Sequence, residues 1–192
     1  MKTDALREAI REHAYLEGDF VLRSGRRSRY YLDKYRFETR PELLEAIGVR
    51  LADLVAEHEP DADRLAGPEL GAVALAASAS IASRLPFVIV RKEAKGYGTD
   101  NRLEGVFEPG ERICLVEDVV TSGGAAVSAV QALREAGLEC KTAVCVVDRE
   151  EGGVDELARH GVRLRPLFRA GELLETPKSA ANRMVERKQD RC

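Results

Sequence analysis

Two regimes of hydrophobic patterning divide the chain. In residues 1–40 the apolar positions are short and irregular, whereas from Pro41 onward buried-strand and helical patterns alternate. Leu6, Ala9, Ile10 and His13 share one face at helical spacing, which predicts a first helix capped by Thr3 or Asp4. Residues 18–22 read as a short strand, 23–26 as a turn and 30–33 as its partner strand. Pro41 sits in the first turn of a second helix. Its apolar stripe is Leu43, Leu44, Ile47, Leu51, Leu54 and Val55, and Pro60 ends it.

The alternation that follows predicts strands at 65–67, 87–90, 113–116, 142–147 and 162–168. Helices are predicted between them at 72–84, 125–136 and 154–160, with Gly137 and Gly161 as stops. Pro166 places the last strand at a sheet edge, because proline has no amide N–H to give to a strand ladder. Strand–helix alternation implies an α/β fold, a mostly parallel twisted sheet flanked by helices on both faces. Residues 1–40 do not alternate and are expected to form a small N-terminal hood over a core at 41–175. The polar tail at 176–192 lacks a stripe and is expected to be disordered.

Composition narrows the function classes. The chain has 192 residues, 44% hydrophobic and 33% charged, which suits one globular domain with a sizeable core. A formal net charge of −3 gives no global attraction to nucleic acid or anionic membrane. No apolar run approaches the roughly 18 residues of a membrane span. The N-terminus lacks an apolar signal core. Cys114, Cys140, Cys145 and Cys192 show no C-x-x-C spacing, and Cys114 and Cys145 fall in predicted strands as reduced core residues. A cytoplasmic protein is the expectation. His13, His58 and His160 are scattered and suggest no metal or acid–base centre.

Chemistry concentrates in two stretches. The apolar run Ile113, Cys114, Leu115, Val116 leads into Glu117 and Asp118, then Val119 and Val120, then the turn Thr121, Ser122, Gly123, Gly124 and the helical segment from Ala125. The acids fall at the carboxyl end of a strand, where open α/β sheets bind ligands. The turn offers amides and hydroxyls at a helix N-terminus, which suits a phosphate dianion. A sugar phosphate reconciles the two, its hydroxyls donating to the acids and its phosphate taking the amides. An ordinary βα turn is the bland alternative, but it has no use for paired acids. The second stretch, residues 91–102, carries four bases against two acids and two glycines. Beside a phosphate site, a mobile cationic loop of this kind reads as a lid.

Residues 113–126 resemble the phosphoribosyl-pyrophosphate (PRPP) motif of type I phosphoribosyltransferases, which implies a type I phosphoribosyltransferase-like fold. The order Arg91, Lys92, Glu93, Lys95, Gly98 is similar to the catalytic loop of the orotate phosphoribosyltransferase family. The Ser24, Gly25, Ser28, Tyr30, Tyr31 element and the Asp148, Arg149, Gly152 element resemble two further landmarks of that family, in family order.

The resemblance implies transfer of the 5-phosphoribosyl group of PRPP to orotate in pyrimidine synthesis, with Mg2+ carried by PRPP and no metal bound directly by the protein. It implies Lys95 and Asp118 as catalytic residues. PRPP would be held by Arg91, Lys92, Lys95, Tyr97, Glu117, Asp118, Val119, Val120, Thr121, Ser122, Gly123, Gly124 and Ala125. Orotate would be met by Thr121, Arg149, Arg23 and Tyr31, with Arg149 forking to its carboxylate. Tyr30 and Tyr31 read equally well as aromatics of the hood's own core. The family's loop reaches the partner's site, so a homodimer is implied. Two departures stand out: Tyr97 where many members have His, and Leu70 where many bacterial members have Lys. A non-catalytic PRPP-binding regulator on the same fold, or a transferase for another base, is the alternative. Such regulators add a DNA-binding module, and no helix-turn-helix precedes residue 18.

Overall fold

The computed structural model describes residues 1–21, 25, 27–93 and 102–174. Helix α1 (Thr3–Ala14) leads into a hairpin of β1 (Tyr15–Val21) and β2 (Arg27–Leu32), which pair antiparallel as a sheet of their own. The single turn α2 (Tyr35–Glu38) and the long α3 (Pro41–His58) follow. The rest alternates: β3 (Arg64–Pro68), α4 (Gly71–Ser83), β4 (Phe87–Val90), β5 (Leu103–Glu104), β6 (Arg112–Val120), α5 (Gly124–Glu135), β7 (Glu139–Asp148), α6 (Gly153–Arg159), β8 (Arg163–Arg169) and α7 (Ala170–Leu174). Among the described residues no helix is long and apolar enough to cross a membrane.

The main sheet has the order β5-β4-β3-β6-β7-β8. All its pairings are parallel except the short β4–β5 contact. The expected α/β class and mostly parallel sheet are therefore observed, and Pro166 does lie in an edge strand. The chain runs from β3 leftward to β4, and from β6 rightward to β7 and β8. The direction reverses between β3 and β6. Open α/β sheets bind ligands at such a point, outside the carboxyl ends of the diverging strands.

Two apolar layers sandwich this sheet. On one face Leu6, Ile10, Phe37, Leu43, Ile47, Leu51 and Leu75 join Cys114 and Val116 of β6. On the other, Val127, Val130, Leu133 and Leu157 join Ile113 and Leu115. Strand side chains alternate faces, so β6 is apolar on both. Each fully buried aliphatic of these layers contributes about 1.5–3 kcal/mol by leaving water. Helix α1 takes part through Leu6, Ile10 and Ala14, all fully buried.

Small residues let helices lie close to their neighbours. A Cβ on Gly48 of α3 would stand 2.7 Å from Ser78 Cβ of α4, and one on Gly67 of β3 would stand 2.6 Å from Ala76 Cβ. Helix α5 stops at Gly137, whose φ of +84° lets the Leu138 amide reach back to Leu133 O at 3.1 Å.

Three expectations are corrected. Lys2, not Thr3 or Asp4, occupies the N-cap of α1 and makes no side-chain cap bond, while Asp4 pairs with Arg7 at 3.0 Å inside the first turn. Strand β6 does not stop at Val116 but runs to Val120, because Glu117 to Val120 continue the ladder with β7 as far as Asp148. Elements β5, α2 and α7 went unread, being too short to develop a period.

Candidate active site

A cleft of about 450 Å³ opens where β3 and β6 diverge. Its walls come from the turn after β3, the end of β6, the start of α5 and the base of the 91–102 loop. Glu117 and Asp118 line it, both nearly buried. Because β6 alternates, Glu117 follows the face of Ile113 and Leu115, and Asp118 the face of Cys114 and Val116. The backbone thus presents two adjacent carboxylates on either side of one strand end.

The two acids are solvated differently. Glu117 Oε1 is buried without a partner among the described residues. Burial, reinforced by the neighbouring Asp118 charge, pushes its carboxyl up to about 8. Asp118 instead pairs through Oδ2 with Lys34, and its Oδ1 accepts from the Val119 amide. Gly71 makes room for this pair: a Cβ there would overlap both Asp118 Oδ2 and Lys34 Nζ. A third carboxyl, Glu38, is also buried with an unpartnered Oε1. Burial first, then Asp118, raises it to about 8.

The turn after β6 is a nest for an anion. Gly123 takes a φ of +85° at the N-cap of α5 and supplies no side-chain cap. The amides of the first helical turn have no intrahelical acceptor. Among the described residues none accepts from the amides of Thr121, Ser122 or Gly123. A Cβ on Gly124 would meet nothing within 4 Å, so space lies over these donors. Thr121, Gly123 and Ala125 line the cleft, as do Val119 and Val120; Ser122 and Gly124 belong to the same turn without lining it. The turn is held from behind by α6. A Cβ on Gly153 would collide with Val120 Cγ1 and stand 2.7 Å from Thr121 O.

The cationic loop enters the cleft at its described ends. Arg91 and Lys92 line it. The Lys92 amide donates to Glu69 Oε1 at 2.7 Å, and the Arg91 guanidinium lies 3.8 Å from Glu69 and 3.7 Å from Glu104. Arg102 Nε donates to Arg91 O at 3.1 Å, while a terminal nitrogen reaches Ser128 Oγ of α5 at 3.2 Å. Both feet of the loop are therefore fixed to the rim. Lys95 and Tyr97 lie outside the described residues, as does Arg23.

The residues expected to meet the base stand to one side. Arg149 lies beyond the end of β7 and is almost wholly covered, pairing with Glu151 at 3.1 Å. Its guanidinium packs over the Tyr30 ring at 5.3 Å, and Tyr30 stacks on Tyr15. Arg149 Nε is buried without a partner among the described residues. Tyr31 is half exposed and tilts against Phe20 at 5.6 Å. Neither Arg149 nor Tyr31 lines the main cleft. The hairpin therefore covers Arg149 through Tyr30, and Arg149 lines a small apolar recess with Tyr15, Leu32 and Leu173. Sequence reasoning missed Lys34 and gave no individual role to Glu69 and Gly71 of the 68–71 loop or to Arg102 of the cationic loop. Their positions carry no periodic signal, and tertiary folding alone brings them to the cleft. Cys114, Cys140 and Cys145 are free and buried, with burial raising each thiol, so none is a nucleophile here.

A strand-end acid pair, an uncapped helix start and a switch-point cleft together define a phosphoribosyltransferase of type I fold. No family model matches the chain. It is 53% identical over 157 residues to the orotate phosphoribosyltransferase of Methanocella arvoryzae, covering 82% of this chain and 88% of that protein. It is 48% identical to that of Halobacterium salinarum, covering 90% and 97%. Among solved structures, orotate phosphoribosyltransferase from Mycobacterium tuberculosis in complex with PRPP superposes with a TM-score of 0.74 at 29% identity, covering 89% of this chain and 98% of that one. The Aeropyrum pernix enzyme gives 0.77 at 34%, covering 91% and 96%. The chain belongs to the orotate phosphoribosyltransferase family.

Proposed function

We propose that this protein transfers the 5-phosphoribosyl group of PRPP to orotate, giving orotidine 5′-monophosphate and pyrophosphate for pyrimidine nucleotide synthesis. The observation that carries this reading is the juxtaposition of Glu117 and Asp118 with the amides of residues 121–125 in one cleft. Ribose hydroxyls would donate to the acids, filling the orphaned Glu117 oxygen. The 5′-phosphate would take the amides of the nest and the α5 N-terminus.

In the reaction, N1 of the orotate anion forms a bond to the anomeric carbon as the bond to pyrophosphate oxygen breaks. The electron pair leaves on pyrophosphate, through an oxocarbenium-like state. No general base is required, since orotate reacts as its N1 anion. Arg91, Lys92 and Lys95 would stabilise the charge growing on the leaving group inside a closed site. Lys95 and Asp118 are assigned the catalytic roles, Tyr97 a PRPP contact. Thr121, Arg149, Arg23 and Tyr31 are assigned to orotate. Magnesium is assigned as carried by PRPP, with no direct protein ligand, and would neutralise pyrophosphate charge. The protein is assigned to the cytoplasm and to a homodimer whose loop serves the partner's site.

The test is turnover of purified protein with PRPP, magnesium and orotate, followed by loss of orotate absorbance, with hypoxanthine, adenine and uracil as controls. Orotate alone is expected to react. Tight PRPP binding without turnover, or turnover of a purine alone, would overturn the assignment.

A further inference from the structure

We propose that Lys34 is a PRPP-binding residue, bridging Asp118 to the pyrophosphate of the bound substrate; this rests on the function assigned above. Lys34 follows β2 in sequence, yet its ammonium reaches across 84 positions to Asp118 and lines the cleft. Three buried carboxyls, Glu38, Glu117 and Asp118, gather around it.

Two other cations of the cleft are engaged elsewhere. Arg91 lies against Glu69 and Glu104, and Arg102 is spent on Arg91 O and Ser128. Among the described residues Lys34 is the cation bonded to the acid pair. An ammonium has three donors, and Asp118 is the acceptor found for it among the described residues. Its side chain keeps 30% exposure, on the side where the turn after β3 meets the cleft.

PRPP has the chemistry to use those donors. Its 2-hydroxyl and its pyrophosphate sit on neighbouring carbons. When Asp118 holds ribose hydroxyls, the ammonium beside it falls next to the oxygens on the anomeric carbon. There it would offset leaving-group charge. At that wall Leu70, 74% exposed, offers no charge of its own. The absence of a periodic signal explains why Lys34 escapes a reading of the sequence, although the fold bonds it to the acid pair.

Calorimetric titration of Lys34→Met with PRPP, with pyrophosphate and with ribose 5-phosphate separates a direct contact from a structural one. Loss of a charge-assisted bond is expected to weaken PRPP and pyrophosphate by about tenfold or more. Ribose 5-phosphate, which lacks pyrophosphate, should bind about as it does to the wild type. Equal weakening of PRPP and ribose 5-phosphate would mean that Lys34 merely holds Asp118, and unchanged binding of all three ligands would remove it from the site; either result overturns the proposal. Should the methionine variant melt early, Lys34→Gln keeps a donor for Asp118 while removing the charge, with the same outcomes expected. Failure of the wild type itself to bind PRPP would overturn the assigned function as well, and is read from the first titration.

Discussion

Glu117 sits where a carboxylate is least comfortable: buried, beside Asp118, with one oxygen unpartnered. Its folded-state value of about 8 lies above the ordinary 4.5, so the folded protein holds a proton that the unfolded chain has released. Stability from this group is full below the unfolded value and is lost as pH rises through about 8. Glu38 acts in the same direction. Glu117→Gln should therefore flatten the decline of Tm between pH 5 and 8 in the ligand-free protein, leaving the part due to Glu38. Melting curves across that range check it; parallel profiles for the variant and the wild type would contradict the assigned protonation. Such a site is unstable by construction until hydroxyl donors arrive, and this is why the acid pair marks function. The pair was legible in the sequence because two acids ending an apolar run have no packing role. Lys34 was not, since one lysine after a short strand looks like any solvated charge, and only the folded chain places it on Asp118.

Between elements, the nest proposed for the phosphate is a joint product of β6, α5 and α6. Strand β6 delivers the turn, α5 contributes its uncapped amides, and α6 presses on the turn through Gly153. The Thr121 carbonyl lies 2.7 Å from where a Gly153 Cβ would stand, and backbone cannot swing aside as a side-chain tip can. Gly153→Ala should shift the turn and weaken ribose 5-phosphate binding by about tenfold, with a loss of about 1–3 kcal/mol in stability from overpacking. Titration calorimetry and chemical denaturation measure the two; unchanged affinity would show that the nest does not depend on α6. The pattern of the main sheet was readable because β3, β6 and β7 bury both faces, as the run Ile113, Cys114, Leu115, Val116 announces. The true end of β6 was hidden by its polar acids, which a hydrophobicity argument treats as a boundary. The capping of α1 was misread because Thr3 and Asp4 are good caps, yet the helix starts one residue earlier with the burial of Leu6 and Ile10 already in register.

At the scale of the whole molecule, the cleft combines parts far apart in the chain: Lys34 from the N-terminal segment, the acids and the following turn from the sheet's centre, and Arg91, Lys92 and Arg102 from the described ends of the 91–102 loop. The described feet of that loop are held at Glu69 and Ser128. If the loop acts across a homodimer, mixing Lys95→Ala protein with Asp118→Asn protein should restore orotate turnover that neither shows alone, because a hybrid dimer contains one intact site. Activity that never exceeds that of the separate variants would confine the loop to its own subunit. The fold class and strand-end acids could be read from sequence, while the position of Arg149 under Tyr30 could not, since it depends on how the hairpin sits over β7. The most direct measurement is a crystal structure with PRPP and magnesium bound. Ribose hydroxyls should lie within hydrogen-bond distance of Glu117 and Asp118, and the 5′-phosphate on the amides of residues 121–125. A phosphate bound elsewhere, with the acids untouched by the sugar, would contradict the account.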